Sequence, residues 1–502
     1  MKPTLPDAEA QLPNAPQLRT RVSTGLAWSG GARITQQGLQ FAFSVILARL
    51  LSPPDYGLMA MALVFTGVAG VIAEFGFSSA LVQKAKLDER DADTVFWISL
   101  GSGVLLATVV SLSAPLLASF YAKPTLRAIF PVVSLTFVFS GAGNVAYALL
   151  QREMNFRAIA WCDTIAFVGA ALLGIGLAAA GAGVWALVTQ AVFTPLALGI
   201  ARCISAKWFP RFRFSVEAVK SMTAFTANLY AFNFVNYWAR NGDNLLIGKF
   251  FGASSLGVYN RAYALMLLPI TQINSVVSQV AFPTLASLQH DKARVANLYC
   301  RALGMVTLIA FPVMSGMACV ATPFILVLYG SKWAGVAPLL QILAVVGMIQ
   351  VVVNSMGWIF LSQGRTDLLF RYGVIFSVAV VGSFLVGVRL GSPRALALSY
   401  GLANLICFLP WLYAASKVAS TSIWQIVSSF TAPLASSFIM AGCVWGTARI
   451  LPLGMPPVEL LIIETAVGAA VYIVLVLAMK PESLGELKRL IRNYRNRAAV
   501  ST

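Results

Sequence analysis

The chain has 502 residues, of which 58% are hydrophobic and only 11% are charged. Soluble globular proteins carry about 25% charged residues, so this composition excludes a string of soluble domains and indicates a membrane protein. The net charge of +18 does not indicate a nucleic-acid partner, because the basic residues fall in short clusters between apolar segments instead of forming one continuous basic face.

Apolar stretches long enough to cross a membrane follow one another along the chain. The N-terminal tail, residues 1–24, is polar and lacks the apolar core of a signal peptide, so it is expected to stay in the cytoplasm. A hydrocarbon core about 30 Å thick needs roughly 20 apolar residues per helix, and turn residues and charges divide the remainder into 14 such helices. The predicted crossings are 25–50, 57–83, 94–119, 127–151, 158–180, 184–206, 218–248, 257–283, 294–319, 336–361, 367–388, 394–416, 425–449 and 458–479. The loops between them are too short to hold an extramembrane catalytic domain.

The distribution of lysine and arginine predicts the orientation of these crossings. With both termini inside, 24 of the 36 basic residues fall in cytoplasmic segments, eight fall outside and four lie within crossings. Short cytoplasmic loops carry an excess of basic residues. The sequence therefore predicts a multi-pass protein of the bacterial inner membrane with both termini in the cytoplasm.

An internal repeat predicts how the crossings are grouped. Residues 49–58 (RLLSPPDYGL) resemble residues 249–258 (KFFGASSLGV), and residues 88–91 resemble residues 291–294. The repeat unit is six crossings, an even number, so both copies enter the membrane in the same sense. The predicted fold is an all-α polytopic membrane protein with two six-helix lobes and two C-terminal helices. Its parts are an N-terminal lobe, a cytoplasmic linker, a C-terminal lobe, two further crossings and a basic cytoplasmic tail, at residues 25–206, 207–217, 218–416, 425–479 and 480–502.

Polar side chains recur at helical spacing on one face of the first crossing and one face of the seventh. Arginine at the centre of a membrane helix costs about 2.5–3.5 kcal/mol on insertion scales, so it usually faces a cavity, a partner or the bundle interior. The two stripes occupy equivalent places in the repeats, and the eighth crossing adds two polar residues near a common face. We predict that they line a hydrophilic cavity. The predicted cavity residues are Arg33, Gln37, Gln40, Asn233, Asn236, Arg240, Asp243, Arg261 and Gln272.

Two structural explanations of these polar residues remain open. Arg240 and Asp243 are three residues apart on a helix and can neutralise each other. Amides inside a membrane bundle can also hold helices together by hydrogen bonding. Two acids within predicted crossings, Glu74 and Asp163, are candidate coupling groups for protons or sodium.

Cysteine and histidine usage argues against a disulfide framework and against a metal site. All six cysteines lie in apolar segments without CxxC spacing, and His290 is the single histidine. Such cysteines usually behave as small buried apolar side chains. We therefore predict neither a metal nor a cofactor.

Several short motifs are more specific than membrane composition. They are RLLSP (49–53), DYG (55–57), FGF (75–77), SALVQ (79–83), RNGDNLLIGKF (240–250), LGVYNRAY (256–263) and LMLLP (265–269). Together they resemble the WzxC/TuaB-like branch of the Wzx-type polysaccharide transporters, in the multidrug/oligosaccharidyl-lipid/polysaccharide (MOP) exporter superfamily. The similarity extends from about Gly25 to about Met479.

This resemblance implies a V-shaped, two-lobed bundle that alternates between inward-open and outward-open states. It also implies a function without enzymatic activity, the flipping of undecaprenyl-pyrophosphate-linked oligosaccharide repeat units across the inner membrane for exopolysaccharide, capsule or lipopolysaccharide O-chain synthesis. The implied partners are the lipid-linked oligosaccharide, membrane lipids and the polysaccharide polymerase and export machinery. Arginines suit this substrate, because the planar guanidinium is an effective donor to phosphate.

Other functions are compatible with the same sequence. A cation-coupled multidrug or small-molecule antiporter of the same superfamily would use buried acids to bind protons or sodium. A membrane-embedded polymerase or ligase would usually carry a large extracytoplasmic loop, and the predicted topology has none. A structural scaffold would leave the arginines within the crossings unexplained.

Overall fold

A computed structural model describes residues 36–73, 81, 88–213, 215, 227–452, 454–479 and 484–485. The regular structure of these residues is helical. A short 3₁₀ turn, Ser331–Trp333, precedes α11. The helices are α1 (36–50), α2 (Pro53–Ala73), α3 (Glu89–Phe120), α4 (Leu126–Arg152), α5 (Phe156–Ala179), α6 (Val184–Ser205), α7 and α8 (together Ala227–Ser287), α9 (Lys292–Cys319), α10 (Ala321–Leu328), α11 (Val336–Ser362), α12 (Thr366–Arg389), α13 (Pro393–Ala419), α14 (Ile423–Ile450) and α15 (Pro457–Met479).

Each of the 14 predicted crossings overlaps one of these helices, so the predicted all-α polytopic fold is confirmed. Within the described ranges, eleven helical stretches are long and apolar enough to span a membrane. One of them, Arg240–Ser287, has 48 residues and includes the break between α7 and α8. The described parts of the first two crossings are α1 and α2.

Two connections differ from the prediction. The sequence predicts a loop between residues 248 and 257, but the chain stays helical there and breaks at one residue, Gly252, with φ 79° and ψ 179°. This conformation is almost restricted to glycine, and no other residue of the segment interrupts the helix. The second difference is α10, which packs on α11 and α15 within the predicted loop at 320–335. Its eight residues are too few for a crossing.

The chain divides into two compact units, residues 1–257 and residues 258–502. In the first unit α4 is the central helix, because it packs along both α3 and α6, and α5 packs on α6. An apolar cluster that includes Phe96, Val145 and Trp208 joins α3 and α4 to the segment that follows α6. The predicted division at the 207–217 linker differs from this boundary in position and remains a prediction about lobes.

The second unit repeats this order of packing. Its central helix is α11, which packs along α9 and α13, and α12 packs on α13. Crossings 9, 10, 11 and 12 thus take the places of crossings 3, 4, 5 and 6. Two additional helices complete the unit, since α14 packs on α9 and α15 packs on α14. This arrangement supports the predicted repeat of six crossings with two helices added.

Backbone conformations at the ends of corresponding helices repeat as well. Positive φ angles are uncommon outside glycine, and at a C-terminus they end the helix. The offset between repeats grows from 200 to 210 residues because α10 and the 3₁₀ turn lie between α9 and α11, where the first repeat has only residues 121–125. The matching pairs are Met154 (φ 54°) with Gly364 (68°), Gly181 (81°) with Gly391 (77°), and Lys207 (50°) with Ser420 (54°).

Two glycines that are equivalent in the repeat make reciprocal contacts. A Cβ atom at Gly57 would lie 1.7 Å from the carbonyl oxygen of Ala253, and a Cβ atom at Gly257 would lie 1.9 Å from the carbonyl oxygen of Pro53. Each contact is copied by the other at an offset of 200 residues, as in a twofold-symmetric interface. All four residues belong to the first unit. The starts of α2 and α8 therefore pack backbone against backbone.

Candidate functional site

The first polar stripe lies on α1. Gln37 is half-buried and Gln40 is exposed, and their spacing of three residues places them on one side of the helix. Arg33, the charged member of the stripe, lies outside the described residues, as does the candidate coupling acid Glu74. The part of α1 that the structure describes thus presents two amides, and the role of Arg33 stays a prediction.

The second stripe lies on α7. Asn233 and Asn236 are in its helical backbone, but their side chains lie outside the described part. Arg240 is exposed, whereas Asp243 is buried and its Oδ1 atom accepts a hydrogen bond of 2.7 Å from the backbone N–H of Asn244. Arg240 and Asp243 are thus in different environments. An exposed guanidinium on this helix is compatible with the predicted cavity lining.

Tyr237, which the pattern of amides and charges did not single out, connects this stripe to α2. It lies three residues before Arg240 and therefore shares its side of the helix. The Tyr237 hydroxyl donates a hydrogen bond of 2.7 Å to the carbonyl oxygen of Val64 on α2. The ring fills space left by a glycine, because a Cβ atom at Gly67 would lie 2.2 Å from the Tyr237 hydroxyl oxygen. The signal in the sequence was a tyrosine in phase with the polar stripe.

The other end of α7 is attached to α3. The ammonium group of Lys249 donates a hydrogen bond to the carbonyl oxygen of Phe120, the last residue of α3, and lies 4.6 Å from the centre of the Phe120 ring. A cation at a helix C-terminus interacts favourably with the carbonyl groups exposed there. Tyr237 and Lys249 together hold the polar stripe of α7 within the first unit.

The third group of predicted site residues lies on α8. Arg261 and Gln272 are both half-buried. They are eleven residues apart, which is about three helical turns, so they share one side of α8 as the sequence predicts. They belong to the second unit. Their place in a cavity stays a prediction.

Asp163, the second candidate coupling acid, forms an ion pair. Its Oδ1 atom lies 2.8 Å from Nη2 of Arg202, and the side chains are 31% and 15% exposed. The Arg202 guanidinium also lies 4.5 Å from the centre of the Tyr147 ring. The cluster joins α4, α5 and α6, an arrangement typical of a structural ion pair. Matching depths on adjacent antiparallel helices could have revealed it, because both residues lie near the predicted cytoplasmic ends of their crossings.

The fold and these side chains define a class of protein. The chain is a polytopic helical membrane protein built from two units with the same order of helix packing, and it carries arginines on its membrane-spanning helices. The polysaccharide biosynthesis protein family matches residues 46–338, and the chain belongs to that family. Its relatives indicate a transporter rather than an enzyme.

Two relatives match nearly the whole chain. The teichuronic acid biosynthesis protein TuaB of Bacillus subtilis (strain 168) is 27% identical over 486 residues, which cover 94% of this chain and 99% of TuaB. The lipopolysaccharide biosynthesis protein WzxC of Escherichia coli (strain K12) is 26% identical over 423 residues, which cover 83% of this chain and 85% of WzxC. The resemblance to the WzxC/TuaB-like branch is thereby confirmed.

Two solved structures show the same fold. The lipid II flippase MurJ in an inward-closed conformation gives a TM-score of 0.73 at 15% identity and covers 91% of this chain and 100% of MurJ. An inward-facing multidrug resistance transporter of the MATE family, in the MOP superfamily, gives a TM-score of 0.59 at 15% identity and covers 77% of this chain and 96% of its own. The chain therefore has the fold of the MOP transporters, as predicted.

Proposed function

We propose that this protein flips undecaprenyl-pyrophosphate-linked oligosaccharide repeat units from the cytoplasmic to the periplasmic leaflet of the bacterial inner membrane. The observation that carries the proposal is the match to polysaccharide biosynthesis proteins over nearly the full chain. The product would serve a polysaccharide polymerase and export machinery that make exopolysaccharide, capsule or lipopolysaccharide O-chain. The proposal names the kind of substrate and leaves the sugar open.

The arginines of the two units have the chemistry that this substrate requires. The pyrophosphate carries negative charge, and a guanidinium offers a planar pair of N–H donors to phosphate oxygens. Arg240 is exposed on α7 and Arg261 is half-buried on α8. An alternating cavity that holds the headgroup near these arginines would leave the polyisoprenyl tail in the lipid. Charge at the cationic positions, more than side-chain volume, would then govern transport.

A cation-coupled antiporter is the alternative that the fold permits, because the MATE family shares this architecture. The flippase is favoured because both full-length relatives carry names from polysaccharide biosynthesis. The ion pair of Asp163 with Arg202 also gives that acid a structural partner, which weakens one of the arguments for an antiporter.

Loss of the protein should leave lipid-linked repeat units inside the cell. We expect a deletion strain to accumulate them on the cytoplasmic leaflet, and the wild-type chain to restore export. Accumulation of the completed polymer in the periplasm would point to a later step and contradict the proposal. Unchanged amounts of lipid-linked repeat units, with export intact, would also contradict it.

Arg261→Ala should reduce polymer export while the protein stays in the membrane. A hydrogen bond to a charged group contributes about 1.5–3 kcal/mol, so we expect a loss of roughly ten- to a hundredfold in transport. Arg261→Lys should retain more export than Arg261→Gln, because it keeps the charge. Arg449→Ala is the control, since Arg449 is exposed and stacks on Trp445. Normal export by well-expressed Arg261→Ala would remove the cationic-cavity mechanism.

Topology reporters test the proposed orientation. A reporter fused after Lys480 and one inserted within residues 207–216 should lie in the cytoplasm, whereas one near Lys332 should lie in the periplasm. The physical reason is the threefold excess of basic residues in the cytoplasmic segments. Alkaline phosphatase activity from the fusion after Lys480 would require an odd number of crossings.

A further inference from the structure

A carboxyl group lies buried in the pair of helices that follows the two repeats. Glu464 on α15 has 3% of its surface exposed, and its Oε2 atom has no hydrogen-bond partner among the described residues. It lies seven residues after Pro457, the first residue of α15, which places it about 10 Å along this membrane helix. The proposed transport cavity does not use this group.

The surroundings of Glu464 come from α9, α10 and α14, the helices that pack on α15. The thiol of Cys319, the last residue of α9, lies within electrostatic range of the Glu464 carboxyl group. The same thiol donates a hydrogen bond of 3.7 Å to the carbonyl oxygen of Ala441 on α14. One turn after Glu464, a Cβ atom at Gly468 would lie 3.2 Å from Val444 of α14. Glu464 therefore lies where the three longer helices meet.

The charged residues of the neighbouring helices lie away from this point. On α9 the basic residue next to Cys319 in sequence is Arg301, 18 residues earlier, or about 27 Å along the helix. Lys292 and Arg294 are further still. On α14 the exposed Arg449 stacks on Trp445 at 3.8 Å and is turned roughly 140° from the side of Val444.

The remaining ionisable groups do not supply a compensating charge either. The sequence of α10 contains no ionisable side chain. On α15 itself, Glu459 is an exposed acid, and the Tyr472 hydroxyl donates a hydrogen bond of 2.7 Å to the carbonyl oxygen of Leu308. Cys443 on α14 is exposed. Within the described part of the chain, Glu464 thus has acids, thiols and apolar groups around it.

A carboxylate in such surroundings is strongly unfavourable, and a buried acid of this kind takes up a proton. A sodium ion would instead need several oxygen ligands, whereas the charged or polarisable neighbour here is the sulfur of Cys319. We infer that Glu464 is a proton-binding site, which holds its proton while α9, α14 and α15 pack as described and releases it when that packing opens to water. Proton binding and helix packing then favour each other reciprocally. This inference does not depend on the identity of the transported substrate.

Infrared difference spectroscopy of the purified full-length protein tests proton binding directly. Between acidic and alkaline pH, the wild-type protein should show a carboxylic-acid C=O band that is absent from Glu464→Gln and retained in Glu459→Gln. Glu464→Met, a neutral change of similar volume, provides a second variant should the glutamine variant fold poorly. A wild-type spectrum without a band assignable to Glu464 would overturn the inference.

Thermal stability gives an independent readout. The folded protein holds a proton on Glu464 that the unfolded chain releases at neutral pH, so stability should fall as the pH rises. We expect the melting temperature of the wild type and of Glu459→Gln to drop by several degrees more than that of Glu464→Gln between pH of about 5 and about 9. Equal slopes for all three proteins would overturn the inference. So would stabilisation of the wild type, but not of Glu464→Gln, by sodium chloride relative to choline chloride, because sodium would then be the ligand.

Discussion

Replacing Gly57 by alanine is expected to destabilise the protein strongly, because the added Cβ atom would overlap a backbone carbonyl group. The distance of 1.7 Å to the carbonyl oxygen of Ala253 is far below van der Waals contact, and a carbonyl group of a helix cannot rotate away. The starts of α2 and α8 would have to separate. Overpacking costs about 1–3 kcal/mol in typical cores and occasionally more, and we expect Gly57→Ala at or above the upper end of that range.

Three other glycine variants make this prediction specific. Gly257→Ala should behave like Gly57→Ala, because it makes the equivalent contact with Pro53. Gly67→Ala should cost less, since the atoms it meets belong to the Tyr237 side chain, which can move. Gly101→Ala is the control, as nothing lies within 4 Å of its Cβ position. Melting temperatures in detergent and the amount of folded protein in membranes measure the order, and wild-type stability of Gly57→Ala would refute the close contact.

The crossings were predictable because each has its own run of apolar residues, and the signal for one does not depend on any other. The register of the repeat was less so. RLLSPPDYGL and KFFGASSLGV align at 200 residues, but the later helix ends align at 210 or more because α10 lies within the second repeat. An apolar helix of eight residues has no sequence signal that separates it from the end of a crossing. The helical joint at Gly252 was missed for a similar reason, because SS and LG dipeptides nearby also suggest a turn.

The chemistry of the site was only partly predictable. Spacing placed Arg261 and Gln272 on one side of α8, since helical periodicity is local. It did not show that Asp163 is paired with Arg202, 39 residues away, because such a pairing depends on which helices are neighbours. Tyr237 and Glu464 were underrated for the same reason. Their significance lies in what surrounds them, namely the open space at Gly67 and the lack of a basic neighbour.

Arg202→Ala is expected to be the second strongly destabilising change. It removes the partner of Asp163 and leaves a carboxylate that is 31% exposed within a helical bundle. Breaking a fully buried pair costs about 3–5 kcal/mol, and partial exposure reduces that figure, so we expect roughly 2–3 kcal/mol, including the contact with the Tyr147 ring. Arg365→Ala is the control, because the Arg365–Asp367 pair is half exposed on both sides and exposed pairs contribute little.

The double variant Asp163→Ala with Arg202→Ala separates a structural pair from a coupling site. If the pair only holds α5 against α6, removing both charges should recover part of the stability lost in Arg202→Ala, because no unpaired carboxylate remains. Export by the double variant should then recover in parallel with the amount of folded protein. If Asp163 instead carries a transported cation, the double variant should be stable and yet fail to export. Restored folding without restored export would therefore overturn the structural interpretation and return Asp163 to the coupling acids.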